Sequence, residues 1–406
     1  MKKGLLILLL LLFATALYAQ TDSLRLVHTV RGTVTDARTG RALESVHVSI
    51  PDRYYATVTN ADGGFTLKSD IPIEVVRFSY IGYKTQTLPA GNSPLKVALV
   101  PDIITLNEAT IVSGDPYDIV REAVYRIPDN YPDHPELLRC FYRETVRKRQ
   151  RFTYISEAVA RLYKTPYTEI AQHDRAALDK SRVLLSQRKT DTLSVKMMGG
   201  PTQALLLDFV KNKQLLLDDK ERSLYQFELD PPAVIEGRPQ FAIRVIPNEI
   251  KEYALYNGTL YIDQETLCFT RIELSLDISD PLKVTRQVLV RRPPRLRFAP
   301  KEVSVVLSYR NHDGVNRLEY FRSTLRFNCD WKRKLFSTSY TVVNELVVTD
   351  LLEPAVRIPR DEMFRTNDIL TDKAAEFLDP DFWKDYNIIE PTESLEHAID
   401  RLKKQY

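Results

Sequence analysis

At 406 residues the chain is long enough for two or three domains. Hydrophobic residues make up 44% and charged residues 27%, the balance of an ordinary globular protein, which excludes a disordered or low-complexity chain. The formal net charge is +3, to which Lys2 and Lys3 at the very start both contribute, so the chain carries no electrostatic footprint for nucleic acid.

Residues 1–19 read as a signal peptide. Lys2 and Lys3 form a basic start, Leu5 to Ala16 an apolar stretch, and cleavage after Ala19 leaves Gln20 first, with Leu17 at the −3 position. The apolar stretch is shorter than the ~20 residues of a spanning helix. No Cys follows it, so a lipoprotein anchor is not expected, and no later run is apolar enough for a transmembrane helix. The expected location is therefore outside the cytoplasm: periplasmic or associated with the outer membrane.

Residues 28–101 carry the pattern of a small β-sandwich. Val46, Val48 and Ile50 alternate with His47 and Ser49, and Phe65 and Leu67 flank Thr66, the period of half-buried strands. Asp36 to Gly40 and Asn60 to Gly64 supply residues that tolerate positive φ in turns. The set of Val30, Gly32, Val34, Asp36, Thr39-Gly40, Leu43 and Val46, then Thr59-Asn60, Asp62-Gly63 and Phe65, then Phe78-Ser-Tyr-Ile-Gly-Tyr83, resembles the carboxypeptidase regulatory-like domain, a transthyretin-type β-sandwich. Leu106 to Val112 is similar to the short segment that follows this domain in TonB-dependent outer-membrane transporters. The resemblance implies an envelope protein.

Residues 102–134 read as a linker holding one helix, 116–127. Asp115 is the expected N-cap, Pro116 the first helical residue, and Ile119, Val120, Ala123, Val124 and Ile127 share a face. From 135 to 350 the pattern is that of an antiparallel β-rich domain. Thr153 to Tyr163 is an expected strand, while 172–189 shows no clear period. Gly199-Gly200-Pro201 reads as a turn before a helical stretch at 204–210. Strands are expected at 223–229 and 240–247, separated by Asp230-Pro-Pro232 and Glu236-Gly237. The hairpin from Ala254 to Leu276 is the most regular part, and strands follow at 285–291, 302–310, 317–328 and 335–347, with a turn at His312-Asp313-Gly314. The Tyr256 to Asp263 strand and its partner are similar to the half-barrel of periplasmic lipoprotein carriers, whose curved sheet covers acyl chains. The segment 351–406 ends in a helix with Leu395, Ala398, Ile399 and Leu402 on one face. The expected fold class is mostly β: a transthyretin-like sandwich, then an antiparallel β-rich domain with a few helices. The whole order resembles a family of envelope proteins whose longer members continue into a membrane barrel.

A search for chemistry returns no catalytic, cofactor-binding or metal residue. Zinc carboxypeptidases need a His-x-x-Glu pair. The residues three beyond His28, His47, His134, His173, His312 and His397 are Arg31, Ile50, Leu137, Ala176, Val315 and Asp400. There is no Gly-x-Ser-x-Gly elbow and no phosphate-binding Gly-x-x-x-x-Gly-Lys loop. Asn60-x-Asp62 lacks the remaining acidic ligands of a calcium loop. Asp218, Asp219 and Glu221 read as a solvated turn, and Arg291 to Arg297 as a basic loop that could meet lipid phosphates. Tyr253, Tyr256 and Tyr261 suit either sugar stacking or cross-strand packing. Cys140, Cys268 and Cys329 sit among apolar neighbours as small buried residues, with one disulfide open to any pair. The reading is an exported, non-enzymatic envelope protein with no cofactor, engaging a protein or lipid partner at the outer membrane. A hydrolase using paired acidic residues and a truncated barrel-type membrane protein are the alternatives.

Overall fold

The computed structural model describes residues 27–91, 94–102, 114–170, 173–188, 191, 196–197, 199–291, 293, 296–331, 337–366, 368, 370, 375–376, 383 and 386–405. The signal peptide, the segment 106–112 and Arg292, Pro294 and Arg295 of the basic run lie outside the described residues.

Seven strands form the N-terminal sandwich: β1 (His28–Asp36), β2 (His47–Ser49), β3 (Ala56–Val58), β4 (Gly64–Ser69), β5 (Val75–Ser79), β6 (Gln86–Pro89) and β7 (Leu95–Leu99). They make one sheet in the order β4-β1-β7 and another in the order β3-β2-β5-β6. The inward residues of both, Val34, Val46, Val48, Phe65, Leu67 and Phe78 among them, make its core, the arrangement expected of alternating strands packed face to face.

Beyond it come helices α1 (Pro116–Tyr125) and α2 (Ile127–Asn130), then β8 (Glu136–Lys148), β9 (Arg151–Lys164), β10 (Arg175–Leu185) and β11 (Lys196–Met197). Short helices α3 (Thr202–Leu206) and α4 (Asp219–Arg222) precede β12 (Tyr225–Ile235), β13 (Arg238–Pro247), β14 (Tyr256–Asp263) and β15 (Phe269–Leu276). The remainder is α5 (Pro281–Val288), β16 (Leu289–Arg291), β17 (Leu296–His312), β18 (Val315–Trp331), β19 (Thr338–Leu352), β20 (Met363–Phe364), β21 (Ala375–Glu376) and α6 (Glu393–Lys403). Twelve of these strands form one sheet, in the order β12-β13-β14-β15-β17-β18-β19-β8-β9-β10-β20 with β21 also on β10. The order is open, ending at β12 and β20.

Several elements differ from expectation. The helix at 116–127 is two, because Pro128 cannot continue the backbone ladder and starts α2 instead. Residues 285–291 are not a strand: Asp280 Oδ1 caps the N–H of Leu282 at 2.9 Å and Pro281 opens α5, leaving only β16 extended. Asp230-Pro-Pro232 does not separate strands. β12 runs through it, with the pairing register shifting between Asp230 and Ala233, which an edge strand tolerates. Residues 175–185 are one strand, and the helical stretch after Pro201 is shorter than expected. The β17–β18 turn falls at Asp313 and Gly314, with φ of 53° and 83°.

The two faces of the large sheet are covered differently. Leu138, Cys140, Tyr142, Leu260, Leu307 and Leu346 face α1 to α3 and share one core with Phe209, Leu216 and Leu217. The opposite face, with Phe141, Val159, Tyr320 and Val347, receives Val58 of the sandwich and Trp383 and Ile389 of the C-terminal segment. Arg322 reaches Glu44 at 2.8 Å, and His47 Nε2 stands 2.5 Å from Glu319. The sandwich is thus seated on the back of the sheet.

Candidate functional site

On the helix-bearing face a cleft of about 120 Å³ stays open between α3, α5 and strands β17 to β19. Strand alternation sends Val303, Val305, Leu325 and Val342 into it, beside Leu207 and Tyr256. α5 forms one wall and is held by Gln287, whose amide accepts from Ala254 N at 2.8 Å and donates back to Ala254 O at 3.2 Å.

One side of the cleft is polar: Gln203, Ser323 and Asn344. Asn344 Nδ2 donates to Ser323 Oγ at 3.0 Å, and Ser323 donates to Gln203 Oε1 at 2.8 Å. Behind them Tyr142 is fully buried. Its single hydroxyl proton is shared between Glu144 Oε2 at 2.9 Å and Asn344 Oδ1 at 3.0 Å, and the oxygen accepts from Gly200 N at 2.9 Å. Burial pushes the Glu144 carboxyl above its ordinary value, against the pull of the Tyr142 hydroxyl and the Gly200 N–H. Gly200 has φ of +83°, so the Gly199-Gly200-Pro201 turn acts by delivering this N–H.

The arrangement offers an apolar chamber with a hydrogen-bonding edge. Ser323 has no base beside it: its proton goes to an amide oxygen. Among the described residues no group of His, Cys, Asp or Glu is placed to hold a metal ion. A second polar cluster lies deeper. Asp208 accepts from Lys164 Nζ at 2.7 Å, Tyr167 at 3.0 Å and Tyr309 at 2.7 Å, while Lys211 Nζ donates to Asp174 at 2.7 Å. Burial raises Asp208, but Lys164 and the two hydroxyls outweigh it and hold the carboxyl below its usual range. All four charges are buried and matched two against two, so this cluster pins the 208–211 loop to the sheet.

The features singled out in the sequence are scattered. Asn60 Oδ1 accepts from Asp62 N and Gly64 N, making a tight turn that carries the chain from β3 in one sheet to β4 in the other, so it is not the expected hairpin. Asp218 caps α4, and Glu221 accepts from Tyr253. Tyr256 lines the cleft, whereas Leu296 of the basic run packs against Phe298 and Phe327. Cys140, Cys268 and Cys329 are free and buried. Sequence reasoning missed Glu144, Tyr142, Asn344 and Ser323, because three separate strands bring them together.

Residues 30–111 match the CarboxypepD_reg-like domain. No curated protein matches the chain. Among solved structures the chain is similar to an outer membrane lipoprotein-sorting protein domain from Vibrio parahaemolyticus, at 12% identity and a TM-score of 0.25, covering 62% of this chain and 96% of that one. It is also similar to a LolA superfamily protein from Nitrosomonas europaea, at 11% identity and a TM-score of 0.20, covering 61% and 99%. A complex of MucB with MucA(peri) gives 14% identity and a TM-score of 0.18, covering 60% and 98%. The fold described above rests on the strand pairing and not on these likenesses.

Proposed function

We propose that this chain is an exported, non-enzymatic binding protein of the cell envelope, with the CarboxypepD_reg-like sandwich as a fixed scaffold on the back of a ligand-binding sheet. The observation that carries the reading is the cleft, apolar along Val303, Val305, Leu325 and Val342 and polar at Ser323 and Asn344. Such a surface suits the apolar end of an amphiphilic ligand with one hydrogen-bonding group. Its size sets the class: an engineered apolar cavity of roughly 150 Å³ takes benzene, so this cleft holds a ring or a short alkyl group rather than a whole acyl chain. The rest of that face is filled by Phe209, Leu216, Leu217 and their neighbours.

Binding is favoured over hydrolysis because, among the described residues, no Asp or Glu lines the cleft, and the acids that lie together, Asp174 and Asp208, are neutralised by lysines. It is favoured over membrane integration because both faces of the sheet are covered by the chain itself. The test is a calorimetric titration with benzyl alcohol, one ring carrying one hydroxyl. Wild-type protein binds it saturably, and Leu325→Trp, which fills the cleft, binds at least tenfold more weakly. Equal affinity for the two proteins would remove the cleft from the account.

A further inference from the structure

On the opposite face of the sheet, residues 386–391 lie along the seam between sandwich and sheet, and their backbone is read by side chains of both. Lys68 N donates to Asn387 Oδ1 at 2.6 Å and Asn387 Nδ2 returns a bond to Lys68 O at 2.8 Å. The side-chain amide thereby completes the outer edge of β4 as a neighbouring strand would. Thr57 Oγ1 donates to Ile388 O at 2.8 Å, Asn60 Nδ2 to Pro391 O at 3.0 Å, and Arg143 Nη2 to Ile389 O at 2.6 Å. The donors Thr57 and Asn60 belong to the sandwich and Arg143 to the sheet.

Apolar pockets complement these bonds. Trp383 and Ile389 are buried with Val58, Phe141, Val159 and Val347. The Trp383 ring meets Phe141 edge to face at 5.6 Å, lies 5.0 Å from the Arg182 guanidinium, and donates its N–H to Glu157 Oε2 at 3.1 Å. Side-chain donors aimed at successive carbonyls, with pockets for selected side chains, are how proteins hold an extended peptide.

We infer that this seam is a peptide-docking groove, occupied in cis by the chain's own Trp383 and residues 386–391. The partner it fits is an extended segment with an aromatic residue, an Asn four positions on, and two aliphatic residues after that. A tethered occupant acts at an effective concentration on the order of millimolar, so a free segment competes only when the cis contact is weakened.

The test uses the full chain and a labelled peptide copying residues 383–392, read by fluorescence anisotropy. Wild-type protein shows no binding. The variant Trp383→Ala/Ile389→Ala shows saturable binding, and adding Thr57→Val to it weakens that binding about tenfold, the loss of one hydrogen bond of ~1.4 kcal/mol. Circular dichroism and a cooperative thermal unfolding transition establish that each variant is folded. A folded variant that binds the copied peptide no better than a scrambled one overturns the inference. A wild-type dimer that exchanges this segment between copies also overturns it, since the occupant would then be a second copy.

Discussion

Arg143 on β8 and Glu157 on β9 stand directly across from one another, joined by bonds of 2.6 and 2.8 Å to one carboxylate oxygen, with the Glu157 side chain 1% exposed. Arg182 on β10 is Glu157's partner on its other side and bonds the second oxygen at 2.6 Å. Along the same row Glu345 pairs Arg143, and Arg322 pairs Glu345. Charges of alternating sign therefore cross five adjacent strands beneath the sandwich. Such a row fixes register, because a one-residue slip would send every charge to the helix-filled face.

Replacing Glu157 with Gln leaves two arginines without their shared counter-charge under the sandwich. Removal of one partner from a buried ion pair costs about 3–5 kcal/mol, and urea unfolding of Glu157→Gln is expected to show a loss in that range. A loss within error of zero would mean the row is decorative.

Acid should weaken the fold through Glu157 and Asp208. Burial raises both carboxyls, but Arg143 and Arg182 on one and Lys164 on the other outweigh it, so each lies below its ordinary value. A depressed carboxyl stabilises the native state above its ordinary value, and that stability is lost as pH falls through the ordinary value towards the folded one. Glu144 has the opposite sign: burial raises it, so its contribution is present in acid and lost as pH rises. Glu144→Gln is expected to raise the unfolding midpoint at neutral pH and to change nothing in acid. A lower midpoint at neutral pH would show that its ionised form is stabilised by the site.

Much of the fold is legible in the sequence because period-two alternation is local. The hairpin of β14 and β15 follows from it, and the face of α6 follows from the equally local 3.6-residue period of Leu395, Ala398, Ile399 and Leu402. α5 was hidden by β-branched and apolar residues at 284–291, and its signal was Asp280-Pro281 in front. The cleft was not legible, since Leu207, Tyr256, Val305, Leu325 and Asn344 come from separate elements whose adjacency depends on sheet order. The Arg143–Glu157 pair was hidden too: the turn at Arg149, where φ is 56°, would by itself set Arg143 opposite Ser156, and the register shift between Val146 and Arg147 brings Glu157 there instead.

Gly200 is fixed by its backbone and its neighbour. A Cβ there would lie 2.3 Å from the Phe364 ring, and its φ of +83° disfavours any side chain. Gly200→Ala is expected to cost at least about 2 kcal/mol, combining left-handed backbone strain with overpacking. Thermal unfolding measures it, and an unchanged midpoint would mean the loop can shift freely.

The three thiols should be inert in the folded protein. Burial pushes Cys268 and Cys329 up to about 11, and Cys140 higher still. Ellman's reagent is expected to titrate no thiol in native protein and all three in denaturant. Rapid native reaction would place at least one at the surface, and a deficit in denaturant would reveal a disulfide.

Ligand is expected to enter the cleft under α5. Photolabelling with a short-chain diazirine alcohol, followed by peptide mass spectrometry, tests it most directly. Labels are expected on peptides holding Val303 and Val305, Leu325 or Val342, and are expected to be lost in Leu325→Trp. Labels confined to exposed apolar residues such as Ile250, Leu282 or Tyr125, unchanged by that substitution, would contradict it.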